Sequence, residues 1–277
     1  MIYNRHCWDA QTYDEVSRLV QYRWGQQILQ WRKWSGNEIV MDAGCGTGLL
    51  TKLLTNRVPM GKVYGVDIDS NMIKQAKSNL KGLKNVELVL SDISDVKLPT
   101  KLDVIFSNSA LHWVRDHGKV FQHFWNMLKY GSSQPSQLLI QCGGYGNLQR
   151  ILLLARRVTE LNEFNEYFTN MYQSWYFAKS DDTTKLLRKI GYVNIKVHLN
   201  NGRVSLTNRE IYSRFVKTVV LKPFLERLPD NKTRNRYLEL FLDEVEKKST
   251  STNSDKAQTP WSLDYVRLNI IADKPWN

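Results

Sequence analysis

Cysteine is scarce in this chain: three residues in 277, Cys7, Cys45 and Cys142. They are too few and too far apart for a disulfide framework or a zinc cluster, so a reducing, cytoplasmic setting is expected. No apolar run approaches the roughly 18 residues needed to cross a bilayer. Residues 1–34 are peppered with Arg, Asp and Gln and lack the apolar stretch of a signal peptide, so neither a span nor a leader is expected. Internal repeats with the spacing of solenoids and propellers are absent. His6, His117, His123 and His198 do not fall at metal-ligand spacing, and no metal is expected. Blocks of one charge are missing too. The net charge is +12, but residues 1–130 contribute +5 and residues 131–277 contribute +7, with no run of five or more Lys/Arg. So diffuse a positive field draws in an acidic small molecule as readily as RNA, and a nucleic-acid partner is not expected.

What is present is an ordinary globular composition, with 42% apolar and 24% charged residues. Val16, Leu19, Val20, Trp24, Ile28, Leu29 and Trp31 recur at helical spacing until Gly36-Asn37 breaks the pattern. Short apolar runs then alternate with helical segments. Strands are predicted over 38–42, 62–67, 86–90, 102–106 and 138–141, with helices from about Asn71 to Leu80 and from Lys119 to Leu128. This alternation is the signature of a parallel α/β sheet. After residue 146 the chain turns helical and aromatic. Strand candidates lie near 192–199 and 266–272, and the polar stretch Lys248–Thr259 reads as a loop. Three parts follow: an N-terminal helical lid (1–36), a ligand-binding core (37–146) and a helical cap that also returns two closing strands (147–277).

The most specific feature is Val40-Met41-Asp42-Ala43-Gly44-Cys45-Gly46-Thr47-Gly48. A buried strand leads into a glycine turn, and the helix that follows offers free backbone N–H groups. Dinucleotide-binding proteins hold a pyrophosphate there with G-x-G-x-x-G. Here the pattern is G-x-G-x-G, with an acid two residues ahead of the first Gly. That acid repels a pyrophosphate but suits an ammonium group. A ligand with an amine and a carboxylate satisfies both halves, and S-adenosylmethionine is such a ligand. Asp67, at the end of the second strand, is placed to accept from ribose hydroxyls, with Ile68 and Met72 as apolar flanks for a purine. Asp92 follows the third strand within reach of an adenine amine, and Ile93 adds a second apolar neighbour.

These residues resemble those of class I S-adenosylmethionine-dependent methyltransferases. Within that superfamily the chain is most similar to the small-molecule carboxyl methyltransferases, the trans-aconitate and juvenile hormone acid methyltransferases. The likeness rests on Trp8-Asp9-Ala10-Gln11-Thr12-Tyr13 with Ser17 and Gln21, on Ser107-Asn108-Ser109-Ala110-Leu111-His112-Trp113-Val114, on Gly143-Gly144-Tyr145-Gly146-Asn147, and on Tyr265-Val266-Arg267-Leu268 with Lys274-Pro275. The resemblance implies a Rossmann-like seven-stranded, mostly parallel sheet whose last strand is antiparallel, under a helical cap over the substrate pocket. It implies S-adenosyl-L-methionine as cofactor and S-adenosyl-L-homocysteine as product. The cofactor would be surrounded by Tyr13, Asp42, Gly44, Cys45, Gly46, Gly48, Asp67, Ile68, Met72, Asp92, Ile93 and Asn108, Cys45 having no special role.

In the juvenile hormone relatives a Gln and a Trp hold the substrate carboxylate, and these correspond to Gln21 and Trp113. Trp24, Tyr145 and Trp175 are further substrate-side candidates, and the Tyr13 hydroxyl is a candidate donor to the carboxylate. His112 stays open between general base, carboxylate donor and pocket wall. The expected activity is methyl transfer to a small, acidic acceptor by a monomer or homodimer. The alternatives are a hydroxyl or amine metabolite, RNA or protein as acceptor, or a non-catalytic cofactor-binding protein. An N/D-P-P-Y/F motif, which amino methylation of nucleic acids often uses after the fourth strand, is replaced here by Asn108-Ser109-Ala110-Leu111.

Overall fold

The computed structural model describes residues 8–17, 20–130, 134–169, 171, 174–251 and 260–275; His6, Cys7, Leu19 and residues 252–259 of the polar stretch lie outside them. Seven strands, β1 (Ile39–Ala43), β2 (Lys62–Asp67), β3 (Val86–Leu90), β4 (Val104–Asn108), β5 (Ser136–Gly143), β6 (Val193–Ser205) and β7 (Ser262–Lys274), form one sheet in the order β3-β2-β1-β4-β5-β7-β6. The pairs β1–β2, β1–β4, β2–β3 and β4–β5 are parallel, and β7 runs antiparallel to β5. The parallel pairs are those that the strand–helix alternation predicts, and the antiparallel β7 is the one that the family resemblance implies.

The helices are α1 (Ala10–Ser17), α2 (Gln21–Ile28), α3 (Leu49–Arg57), α4 (Ser70–Asn79) and α5 (His117–Met127), then α6 (Gln149–Thr159), α7 (Asn165–Phe168) and α8 (Ser180–Ile190) between β5 and β6, and α9 (Arg209–Phe215), α10 (Lys222–Leu225) and α11 (Asn231–Ser251) between β6 and β7. The helical period of the first forty residues is thus divided between α1 and α2. Asp69 caps α4 by accepting from the backbone N–H of Asn71 and Met72, and Asp116 caps α5 by accepting from Lys119.

Side-chain alternation on buried strands sorts the core into two layers. Val40, Val63, Val104, Phe106 and Leu139 pack with Ile28, Leu29 and Leu54 on one face. Met41, Tyr64, Ile105, Leu138 and Ile140 pack with Phe121, Phe124 and Leu187 on the other. Polar strand ends were harder to read from sequence. β4 lies two residues later than predicted, because Ser107 and Asn108 pair with Ile140 and Gln141 while Leu102 makes only a bridge to Leu128. The Ser107 hydroxyl also donates to the Ala43 carbonyl at 2.7 Å, satisfying a buried polar group inside the strand. A second correction concerns Lys248–Ser251, which continue α11 instead of opening a loop; Lys248 stands in the last helical turn, where a cation suits the helix dipole.

The chain divides into two compact units. One comprises Met1–Tyr145, Trp175–Asn200 and Arg267–Asn277 and carries the glycine turn; the other comprises Gly146–Ser174 and Asn201–Val266. In the second, α6 packs on α11, the Tyr237 hydroxyl donates to the Ala155 carbonyl at 2.7 Å, and Arg150 and Arg203 share Asp264.

Candidate active site

The site is built on the carboxyl ends of β1, β2 and β4. β1 delivers Asp42 and Ala43 to a turn in which Gly44 and Gly46 have φ of +80° and +54°, the region that favours glycine. At Gly44 a Cβ would also stand 2.2 Å from that of Ala110, so the close approach of the two loops needs a residue without a side chain. The turn is bolted to the end of β2. Gly44 N–H and Cys45 N–H donate to the Val66 carbonyl at 2.8 and 3.0 Å, and Gly46 N–H donates to Asp67 Oδ2 at 2.8 Å. The second Asp67 oxygen accepts from Asp69 N–H at 2.9 Å. Gly48 is the N-cap of α3.

One pocket is lined by Tyr13, Gln21, Tyr22, Asp42, Gly44, Cys45, Gly46, Thr47, Leu49, Leu50 and Asn108. Its electrostatics are those of a site for a cation. Burial pushes the Asp42 carboxyl up to about 7; the Thr51 hydroxyl, donating at 2.7 Å, opposes this, and the charge of Asp67 adds to it. Asp67 is raised as well, mainly by burial, while its backbone donors pull it back. No basic side chain figures among the causes acting on either acid. Burial and the same two acids raise Cys45 well above its usual range, so its thiol is not a nucleophile.

The N-terminal helix is tied directly to this turn. The Thr47 hydroxyl donates to Asp14, and the Asn79 amide donates to the Thr47 carbonyl at 2.9 Å. Ahead of α1, Trp8 N–H donates to Asp69 Oδ2 at 3.0 Å. On α2, Gln21 Oε1 accepts from the Tyr13 hydroxyl at 2.7 Å and the Gln21 carbonyl accepts from the Asn108 amide at 3.2 Å. The hydroxyl of Tyr13, sequence-assigned as a donor to substrate, is therefore used on Gln21. With Oε1 engaged by Tyr13, the donor group of the Gln21 side chain is its amide nitrogen.

A second group of sequence-assigned residues is aromatic. Tyr13 meets the edge of Trp8 at 5.3 Å, Trp8 meets Trp113 at 5.7 Å, Trp113 meets Trp175 at 5.6 Å, and Trp175 stacks on Phe177 at 6.2 Å. His112 lies 5.5 Å from Trp113 and 6.1 Å from Phe177. Its Nδ1 faces the Gly143 backbone N–H at 3.2 Å. A backbone N–H can only donate, so Nδ1 is unprotonated and the proton of the neutral ring sits on Nε2. Burial pushes the imidazole down to about 3, with neighbouring His117 adding to the effect. His112 is thereby a neutral donor at Nε2. It has no free lone pair with which to act as a base.

Other assignments fall elsewhere. Ile68, next to Asp67, is 47% exposed, and Leu90, in register with Asp67 on β3, is 54% exposed, two apolar side chains open to solvent at the ends of neighbouring strands. Met72 is buried on α4, and Ile93 is packed in the core below the sheet. Asp92 Oδ1 accepts from Ser94 N–H at 2.8 Å, holding the turn after β3. Tyr145 is 59% exposed beneath the Lys179 ammonium, and Trp24 lies under the guanidinium of Arg267. Sequence reasoning missed Asp14, Tyr22, Thr47, Asp69 and Leu90. Only Asp69 carried a local signal, as an Asp-Ser helix start.

A family model described as a methyltransferase domain matches residues 35–190, more than half of the chain. The chain is similar to a methyltransferase of Invertebrate iridescent virus 6, 34% identical over 46% of each chain, and so spans just under half the length of that relative. It is 29% identical to a trans-aconitate 2-methyltransferase of Deinococcus radiodurans over 75% of this chain and 78% of that one. Its fold is that of a phosphoethanolamine N-methyltransferase from Haemonchus contortus, with a TM-score of 0.59 at 16% identity over 96% of this chain and 57% of that one. The fold and the glycine turn thus define a Rossmann-like nucleoside-binding protein. More narrowly, the chain belongs to the methyltransferase domain family. The residues present fit S-adenosylmethionine, the cofactor of such methyltransferases: Asp42, buried in the pocket lining with no basic side chain among the described groups that act on it, suits its amino group, and Asp67 at the end of β2 suits its ribose hydroxyls.

Proposed function

We propose that this chain is an S-adenosylmethionine-dependent methyltransferase that esterifies the carboxylate of a small or lipid-like acid. The observation that carries the acceptor class is the Gly143 N–H donated to His112 Nδ1, which leaves the histidine a donor only. A hydroxyl or ammonium acceptor needs a base to become nucleophilic at neutral pH. A carboxylate, with a pKa near about 4, is already ionised and needs donors that orient it. Gln21 Nε2 and the Trp113 indole N–H are those donors in this reading, with the aromatic group of Trp8, Trp113, Trp175 and Phe177 as an apolar wall. The likeness to a trans-aconitate 2-methyltransferase supports the same acceptor class.

When bound, the cofactor supplies an electrophilic methyl group on its sulfonium. Asp42 and the turn at Gly44–Gly46 hold its amino-acid end, and Asp67 holds its ribose. Tyr13 fixes the Gln21 amide so that its nitrogen faces the acceptor. Such positioning can contribute roughly 7–11 kcal/mol toward the barrier. The two described cysteines are free and buried, in keeping with a cytoplasmic location.

The test is a radiolabelled methyl-transfer assay on a panel of carboxylic acids, total RNA and cell protein. Label is expected in base-labile esters of acids, and label in RNA or protein alone overturns the proposal. Gln21→Ala and Trp113→Phe are each expected to lower kcat/KM on acids about 10- to 100-fold with cofactor affinity unchanged. At saturating cofactor, turnover is expected to show no ionisation near about pH 6.5. A limb there would restore His112 as a base.

A further inference from the structure

Arg267 sits directly across the antiparallel ladder from Gly143, the residue whose N–H meets His112. Alternation along β7 sends Leu268, Ile270 and Ala272 into the core below the sheet, and Arg267, Asn269 and Ile271 to the opposite face. On that face the Arg267 guanidinium lies over the Trp24 indole, 4.4 Å from the ring centroid. Trp24 is three residues after Gln21 on α2, so the two side chains leave the helix on one side.

Arg267 Nε is buried and has no hydrogen-bond partner among the described residues. Arg32 Nε is likewise buried without a hydrogen-bond partner among the described residues, but there Glu38 stands 3.8 Å away and Asp103 and Asp273 add their charge. For Arg267, burial lowers the basicity and no acid offsets it. Buried polar atoms are normally bonded, so a buried arginine Nε that is not marks a place where a ligand can accept from it. A guanidinium packed over an indole still has donors in its fork to offer a planar anion.

We infer that Arg267, packed over Trp24, binds a second carboxylate of the acceptor, remote from the one that is methylated. The reading of the reacting end rests on the acid acceptor proposed above; the anion site rests on Arg267 itself.

The test is calorimetric titration of the S-adenosylhomocysteine-loaded protein with linear dicarboxylic acids, from succinate upward, and with the monomethyl ester of each. At least one diacid is expected to bind about 10- to 100-fold more tightly than its half-ester. Arg267→Gln should bring that diacid to the level of the half-ester while still binding S-adenosylhomocysteine, which shows that the variant is folded. Arg267→Lys keeps the charge but not the fork and should retain part of the preference. Absence of any diacid preference in the parent protein, or its survival in Arg267→Gln, overturns the inference. Ester formation from S-adenosylmethionine, measured on the same acids, reads the other proposal separately. An Arg267-dependent diacid preference without ester formation overturns the carboxyl acceptor alone. Ester formation that ignores Arg267 overturns the second-carboxylate site alone.

Discussion

The glycine turn after β1 and the aromatic group around Trp113 are built in opposite ways. The turn is backbone: its hydrogen bonds run from Gly44, Cys45 and Gly46 to the end of β2, and its side chains are small or acidic. The aromatic group is side chain: Trp8, Trp113, Trp175 and Phe177 come from three separate stretches of chain and meet through their rings. A backbone-built site tolerates little change, because each residue answers to a φ angle and a ladder register. A ring-built wall can be recut one side chain at a time. The comparison teaches why one cofactor pocket can serve many acceptors: the rigid half recognises what is constant, and the adjustable half recognises what varies.

The largest effect expected from breaking this contrast is at Gly44. Gly44→Ala combines a φ of +80° with a Cβ 2.2 Å from that of Ala110. Strain and overpacking together should lower stability by about 2–5 kcal/mol, read by urea unfolding, with cofactor binding lost in calorimetry. Normal cofactor affinity in this variant would show that the turn is as adaptable as the wall.

An intermediate effect belongs to Asp42. A folded-state carboxyl raised to about 7 means that the native protein holds a proton the unfolded chain has released, so this group's contribution to stability declines as pH rises from the ordinary carboxylate range through 7. A cation bound beside it reverses the penalty and expels the proton. S-adenosylmethionine affinity should therefore rise about tenfold from about pH 5.5 to 7, with binding heats that depend on the buffer's ionisation enthalpy. Affinity that is flat with pH would remove Asp42 from the cation's surroundings.

The smallest effect is expected at Tyr13, where the two regions join. Tyr13→Phe keeps the ring against Trp8 but releases the Gln21 amide, and should lower kcat/KM on acids about three- to tenfold with little change in cofactor affinity. Equal losses in both would mean that the hydroxyl serves the cofactor itself.

Much of the cofactor half was legible from residue order. Asp42, Gly44, Gly46 and Asp67 lie on short segments where strand period, glycine and acid follow one another, and local pattern carries such information. Asn108 was readable from its place after an apolar run, although it proved to be inside β4. Thr47 and Asp14 were not, since their pairing joins positions thirty-three residues apart through a hydroxyl that many residues could replace. The protonation of His112 was equally hidden: nothing local says that Gly143 N–H will face its Nδ1.

Sequence alone therefore determined the α/β alternation, the sheet-end ligand turn and the two acids at the ends of the first two strands, because those features depend on near-neighbour periodicity and on backbone conformations only glycine accepts. Tertiary structure alone decided that the Tyr13 hydroxyl meets Gln21 Oε1, that Gly143 N–H faces His112 Nδ1, and that Arg267 lies over Trp24. Those properties are set by distances between strands and helices far apart in the chain, and by how much water the packing leaves around each group.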